Sequence, residues 1–164
     1  MKFSNTNVYT YYASPLGRLI LAACGNALTG VWFEGQPHLP DMTAWTITPE
    51  HPVLQQAKIQ LGDYFAGRRS SFDIALDLSC GTEFQQQVWR ALLQIPTGTT
   101  CSYGALSAAI GKPGAVRAVG GAIGRNPLGI VVPCHRVIGV NGALTGYTGG
   151  IDHKIALLQL EGAL

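Results

Sequence analysis

The sequence predicts an α/β protein of the α+β kind. A small N-terminal domain with antiparallel strands and a helix spans residues 1–79, and a mainly helical C-terminal domain spans residues 80–164. Three observations lead there. Aromatic and β-branched runs separated by turn signals fill residues 8–33. Apolar residues at helical spacing dominate from residue 82 onward. Ser79-Cys80-Gly81 breaks the chain between the two patterns. With 164 residues, 47% of them hydrophobic, the chain can build one ordinary core or two small domains. Only 12% of residues are charged, which argues against a disordered chain.

Val8 to Ala13 is rich in aromatic and β-branched residues and reads as a first strand, closed by the turn Ser14-Pro15-Leu16-Gly17. Arg18 to Ala23 is a second apolar strand, Gly25-Asn26 a turn, and Leu28 to Phe33 a third strand. These make an antiparallel meander. A Pro-containing loop, Gln36 to Pro40, follows. From Pro52 to Phe65 the residues Val53, Leu54, Ala57, Leu61, Tyr64 and Phe65 fall on one helical face, and Gly67 stops the helix. Asp73 to Leu78 is expected as a further strand. This half offers little identifiable chemistry and reads as a scaffold.

Thr82-Glu83-Phe84-Gln85 has the form of a capping box, with Thr82 as N-cap. Phe84, Val88, Leu92 and Ile95 follow at helical spacing until Pro96-Thr97-Gly98. Tyr103 to Ile110, a turn at Gly111-Lys112-Pro113-Gly114, and Ala115 to Gly124 give the layout of a helix-turn-helix. The second of these helices contains Gly120-Gly121 in tandem, at a cost of roughly 1 kcal/mol per glycine against alanine. Small side chains let another backbone come close, either a helix or a nucleic acid. Arg117 is its one long polar side chain, which suits shape-based minor-groove contact better than base readout in the major groove. A last helix is expected behind Asp152 as N-cap, with Gly162 ending it. Glu161 then lies at the C-terminal end, where the helix dipole disfavours a carboxylate unless a cation or hydrogen-bond donor meets it.

The segment Ile130-Val131-Val132-Pro133-Cys134-His135-Arg136-Val137 carries the clearest chemistry. The apolar run reads as a buried strand ended by Pro133, which has no N–H for a ladder. It delivers a thiol beside an imidazole, and a neighbouring base or cation controls how readily the nucleophilic thiolate forms. Alone, such a pair more often marks a buried structural cysteine.

The other cysteines, Cys24, Cys80 and Cys101, are widely and irregularly spaced. Reduced thiols in a cytoplasmic protein are the expectation. No Cys-x-x-Cys pair or metal-ligand spacing is present, and His38, His51, His135 and His153 are scattered, so no metal is expected. No window is apolar enough to span a bilayer, and the N-terminus lacks the apolar core of a signal peptide. The net charge is only +2. Yet from Gly104 to Gly150 the basic residues are Lys112, Arg117, Arg125 and Arg136, and there is no Asp or Glu at all. An acid-free basic stretch favours phosphate contact, or is simply a glycine-rich packing region.

Pro133-Cys134-His135-Arg136 resembles the active-site segment of the O6-alkylguanine-DNA alkyltransferases, the methylated-DNA–protein-cysteine methyltransferases. The resemblance extends in order along nearly the whole chain. It takes in Ser14-Pro15-Leu16-Gly17 and Asp63-Tyr64-Phe65-Ala66-Gly67. It continues through Thr82 to Trp89, Ser102-Tyr103-Gly104, Arg117 to Ala122, Asn126-Pro127, Thr145 to Gly150 and Leu160-Glu161-Gly162.

The resemblance implies a direct-reversal DNA repair protein. It would flip an O6-alkylguanine out of duplex DNA and take the alkyl group irreversibly onto Cys134 in a single turnover, with O4-alkylthymine left open as a second substrate. Cys134 resembles the alkyl acceptor, His135 the base acting through a bridging water, and Glu161 the acid that orients the histidine. Asn126 resembles the asparagine tying the recognition helix to the active-site turn, and Tyr147 is the plausible proton donor to the leaving base. Arg117 resembles the arginine finger filling the gap in the duplex. Tyr103, Ala118 and Gly121 are implied on the DNA-binding surface, and Tyr103, Val137, Tyr147 and Thr148 around the flipped base. No cofactor is implied. The partner is double-stranded DNA approached from the minor groove by a monomer, with cooperativity on DNA left open and no membrane partner. Two other readings fit parts of the sequence. A cysteine hydrolase or acyltransferase built on Cys134, His135 and Glu161 gives no reason for Arg117 on a glycine-rich helix. A DNA-binding regulator using the helix-turn-helix alone leaves Pro133-Cys134-His135-Arg136 unexplained.

Overall fold

The computed structural model describes all residues, 1–164. The chain opens with the expected meander: β1 (Val8–Ser14), β2 (Gly17–Cys24) and β3 (Ala27–Phe33). β1 and β2 pair antiparallel with Tyr11 opposite Ile20, and β2 and β3 with Ile20 opposite Trp32. The β1–β2 turn is fixed by Ser14, whose hydroxyl donates to the Gly17 carbonyl and accepts from the Leu16 N–H, and Gly17 takes the positive φ that this turn requires. A two-residue strand that sequence reading missed, β4 (Thr46–Ile47), pairs parallel with β1, giving the order β3-β2-β1-β4.

β2 is apolar on both faces because both faces are covered. Leu19, Leu21 and Ala23 join the main core with Val53, Leu54, Ala57 and Leu61 of α1 (Pro52–Phe65). Ile20 and Ala22 point the other way, into a smaller cluster with Trp32 and Trp45.

Two expected strands are not strands. The outer edge of β3 is divided between two segments, and neither runs along it far enough to form a ladder. Leu28 exchanges hydrogen bonds with Ala75 and Asp77, so Asp73–Leu78 makes a single bridge at Leu76. Val31 exchanges hydrogen bonds with Pro127 and Gly129, so the later segment makes a single bridge at Leu128. The apolar run Ile130-Val131-Val132 then turns instead of extending. Ile130 has φ 70°, and the Val132 N–H bonds back to the Leu128 carbonyl at 2.8 Å. All three residues are buried, and it is burial, not pairing, that makes them apolar.

The C-terminal half holds α2 (Glu83–Leu92), α3 (Tyr103–Ala109), α4 (Val116–Gly124) and α5 (Ile151–Leu160). The Thr82/Gln85 capping box is present at α2, and Ser102 caps α3. At α5 the cap is Gly150, at φ 101°. Asp152 instead sits in the first turn, where its charge still suits the helix dipole. α2 packs on α4, with the Trp89 indole N–H donating to the Ala122 carbonyl at 2.8 Å. A second small sheet, also unforeseen, pairs β5 (Cys101–Ser102) in parallel with β6 (Val137–Ile138). It fastens the start of α3 to the chain leaving Cys134. The main core runs through both halves, from Leu21 and Leu61 to Trp89, Val132 and Leu157.

Candidate active site

Cys134, His135 and Arg136 form one turn of 3-10 helix directly after Pro133, with all three side chains buried. The turn is held from below by Asn126. Its amide donates to the Val132 carbonyl at 2.8 Å and to Cys134 Sγ at 3.1 Å, while its oxygen accepts from the Leu128 N–H at 3.0 Å. One side chain thus joins the end of α4 to the thiol. Burial raises the Cys134 thiol pKa. The Asn126 amide, the Lys154 charge and the N–H groups of Cys134 and His135 act in the opposite direction without cancelling it. The resting sulfur is a thiol surrounded by groups that favour the thiolate.

His135 Nε2 lies 2.7 Å from Glu161 Oε1, with both side chains almost fully buried, at 0% and 1% exposure. A carboxylate acceptor at Nε2 fixes the proton there, which leaves Nδ1 as the basic nitrogen of the neutral ring. Nδ1 is buried and has no protein hydrogen-bond partner. Burial, helped by the charges of Arg136 and Lys154, lowers the His135 pKa more than Glu161 raises it, so the ring is neutral at pH 7 and able to accept a proton.

Glu161 caps the C-terminal end of α5, and the partners its position demanded are present. Arg136 donates to both oxygens, Nε to Oε2 and Nη2 to Oε1, each at 2.8 Å, and Tyr64 Oη donates to Oε1 at 2.7 Å. Burial pushes the Glu161 carboxyl up, but the hydrogen bonds from His135, Arg136 and Tyr64 prevail and hold it at about 2. Arg136 is itself anchored by the Ile95 carbonyl at 2.6 Å and Thr97 Oγ1 at 3.0 Å.

The loop from Gly139 to Gly150 closes over this centre and carries Tyr147 and Thr148. Thr148 donates to the Gly124 carbonyl at 2.8 Å, and Tyr103 Oη to the Thr145 carbonyl at 3.3 Å. Tyr147 is partly buried. Burial, followed by the charges of Cys134, Tyr64 and Glu161, keeps its phenol protonated well above the ordinary range. Val137 is fully buried. Its carbonyl and that of Thr145 accept from Lys154 Nζ, at 2.5 and 3.1 Å. Gly149 leaves no room for a side chain, since a Cβ there would lie 2.7 Å from the Tyr147 ring and 2.9 Å from Phe33.

The structure therefore brings together Cys134, His135, Glu161, Asn126, Tyr103, Tyr147, Thr148 and Val137. Arg117, Ala118 and Gly121 lie apart, exposed on α4. The tandem glycines are not both a helix-packing device. Gly120 faces the Tyr103 ring, but a Cβ on Gly121, Gly104 or Gly114 would meet nothing within 4 Å. These positions leave a bare outer surface on the helix-turn-helix.

Three site residues escaped sequence reading. Arg136 stood in plain view within the cysteine segment. Lys154 shares a helix face with Leu157 and Leu158, so a lysine on an apolar stripe was the available signal. Tyr64 looked like ordinary core, and its one mark was its place in the family-like segment Asp63-Tyr64-Phe65-Ala66-Gly67. No three His, Cys, Asp or Glu side chains converge in a metal-binding arrangement, and all four cysteines are free.

Comparison with known proteins gives a consistent result. The family model described as 6-O-methylguanine DNA methyltransferase, DNA binding domain, matches residues 83–163. Its companion, the ribonuclease-like domain of 6-O-methylguanine DNA methyltransferase, matches residues 7–78. The chain is 53% identical over 148 residues to a methylated-DNA–protein-cysteine methyltransferase of Mycobacterium leprae, covering 90% of this chain and 88% of that one. It is 48% identical over 159 residues to the constitutive methylated-DNA–protein-cysteine methyltransferase of Bacillus subtilis, covering 94% and 95%. Among solved structures, Mycobacterium tuberculosis OGT in complex with DNA superposes with a TM-score of 0.89 at 51% identity, over 95% of this chain and 93% of that one.

Proposed function

The chain belongs to the 6-O-methylguanine DNA methyltransferase family, and on that premise we propose how its own residues carry out direct reversal of alkylation damage in DNA. It is a methylated-DNA–protein-cysteine methyltransferase that takes the alkyl group of O6-alkylguanine onto Cys134. The alkylated oxygen is hidden inside the base stack, so the nucleotide must leave the duplex, at a cost of a few kcal/mol. The bare surface of α4 admits the minor-groove backbone close to Ala118 and Gly121. Arg117 occupies the gap left by the base and offsets part of that cost. Tyr103, Val137, Tyr147 and Thr148 receive the base.

The Cys134 proton passes through a water to Nδ1 of His135, the nitrogen without a protein partner. Glu161, kept ionised by Arg136, steadies the imidazolium that forms. The sulfur attacks the alkyl carbon, forming the S–C bond as the C–O6 bond breaks. Tyr147 supplies a hydrogen bond or proton to the departing guanine. The product is a thioether, which no group in the site can reverse, so each molecule acts once without a cofactor. No helix is long and apolar enough to cross a membrane, and the four free thiols support a cytoplasmic protein.

The observation that carries this reading is the Asn126-tethered thiol of Cys134 beside the buried His135–Glu161 pair, in a chain whose two halves both match the family. The test is intact-protein mass after incubation with duplex DNA containing one O6-methylguanine, followed by peptide mapping. A gain of about 14 Da, one methylene, on Cys134 and saturating at one per molecule is expected. Cys134→Ser should bind the lesion and gain nothing. Lesion binding without any mass gain in the parent protein would reduce it to a lesion sensor.

A further inference from the structure

The N-terminal half makes one side-chain hydrogen bond to the reaction centre. Tyr64 lies in the last turn of α1, buried between Phe65 and Phe72, whose ring centroids are 5.4 and 5.5 Å away. Its hydroxyl donates at 2.7 Å to Glu161 Oε1, the same oxygen that accepts from His135 Nε2 at 2.7 Å and from Arg136 Nη2 at 2.8 Å. Oε2 receives only Arg136 Nε. Arg136 already grips both oxygens, so the carboxylate needs no further donor for its charge to be met or its plane to be set. The tyrosine instead competes with His135 for the density on one oxygen.

We infer that Tyr64 is a positioning residue for alkyl transfer, a hydroxyl supplied by the N-terminal domain that tempers the pull of Glu161 on His135 and so sets the basicity of the imidazole. This rests on the reading of Glu161 as the orienting carboxylate of His135. The sign follows from hydrogen-bond competition. A carboxylate oxygen shared with a strong donor holds a neighbouring imidazolium less tightly, so removing that donor favours the protonated ring. Burial and the Glu161 charge keep the Tyr64 phenol well above the ordinary range, so it remains a donor throughout the pH range of the reaction. The other charged or ionisable groups around the pair are Cys134 and Arg136 from the turn, Lys154 from α5, Tyr147 from the loop, and Arg68 and Arg69, which line a pocket with Tyr64 and Glu161; of these only Cys134 is changed below, in the background used for NMR.

The test is the pH profile of single-turnover alkyl transfer to an O6-methylguanine duplex. Tyr64→Phe keeps the ring and deletes the hydroxyl. The acid limb should move up by about half a unit, which lowers the rate below the limb roughly threefold while the plateau is maintained. Incorporating a ring-fluorinated tyrosine at position 64, a stronger donor of nearly the same shape, should move the limb down. This second variant covers the case in which Tyr64→Phe folds poorly. The His135 titration followed by NMR in a Cys134→Ser background should shift in the same directions.

A Tyr64→Phe profile that superimposes on the parent, or one lowered uniformly with its limb unmoved, overturns the inference. Glu161→Gln separates the two levels. If Glu161→Gln is slow and Tyr64→Phe matches the parent, only the role of Tyr64 falls. If Glu161→Gln reacts like the parent, the reading of Glu161 falls and takes the inference with it.

Discussion

Asn126→Ala tests the join between the DNA-reading helix and the nucleophile. The Asn126 side chain makes three hydrogen bonds in a buried setting: to the Val132 carbonyl, to Cys134 Sγ and from the Leu128 N–H. Both Val132 and Leu128 are fully buried, so truncation orphans the Leu128 N–H and takes one of two donors from the Val132 carbonyl, which keeps the Cys134 N–H at 2.8 Å. The orphaned amide costs about 1–3 kcal/mol and the lost second bond to the Val132 carbonyl about 1 kcal/mol, which places the total near 3 kcal/mol. For a chain of this size each kcal/mol moves Tm by about 2–4 °C, so Tm should fall by about 9 °C. The thiol also loses a donor that favours the thiolate, and alkyl transfer should slow in the protein that remains folded. Asn126→Asp keeps the acceptor for Leu128 but turns an ionised oxygen toward the Val132 carbonyl and the sulfur, so it should slow transfer further. The assays are thermal or denaturant unfolding together with single-turnover transfer to O6-methylguanine DNA well below Tm. An Asn126→Ala protein within about 0.5 kcal/mol of the parent and reacting at the parental rate would refute the tie and leave Asn126 an ordinary Asn-Pro turn.

Acid stability should carry the signature of Glu161. Its carboxyl pKa is depressed from 4.5 to about 2, so the stabilisation is complete above about pH 4.5 and is lost as pH falls toward 2. The shift corresponds to about 3 kcal/mol, and denaturant unfolding at stepped pH should show the parent losing that much more than Glu161→Gln. Parallel pH dependences would contradict it. Gly81→Ala would set a Cβ 2.3 Å from the Trp89 ring. Overpacking should cost about 1–3 kcal/mol by chemical denaturation, with no loss expected if the ring could slide aside. Lys154→Met removes a cation that favours the Cys134 thiolate and takes a donor from the Val137 and Thr145 carbonyls, so the thiol pKa, measured by the pH dependence of alkylation with a small reagent, should rise by about one unit. Arg117→Ala should slow repair of a fully paired duplex about tenfold, equivalent to some 1.4 kcal/mol of the flipping cost, while an unpaired lesion reacts nearly as before. Equal losses on both substrates would deny Arg117 a role in the gap.

Local patterns were legible where local physics governs. The meander follows from turn signals at Ser14–Gly17 and Gly25-Asn26, α2 from the Thr82/Gln85 box, and α1, α3 and α4 from apolar spacing and their glycine stops. Patterns failed where a distant partner decided the backbone. Asp73–Leu78 and Ile130–Val132 are apolar enough for strands, yet both meet the same edge of β3 and divide it, so each is left with one bridge. The short pairs β1–β4 and β5–β6 involve too few residues to leave a periodic trace. Gly150 displaced Asp152 as the α5 cap because the incoming loop needed a positive φ, which the identity of one residue does not announce.

The site divides along the same line. The Pro133-Cys134-His135-Arg136 segment, the acid placed against the dipole at Glu161 and the bare helix with Arg117 were determined by the sequence, because nucleophile, base, carboxylate and small residues are properties of side chains. The pairing of Glu161 with His135 was implied by the resemblance; only the tertiary structure decided that Arg136 and Tyr64 meet the same carboxylate, that Asn126 touches the sulfur, and that Lys154 is buried against the Val137 and Thr145 carbonyls. Those contacts join residues up to 97 positions apart. Their geometry comes from one core packed across both halves of the chain, and no local spacing along the chain encodes it.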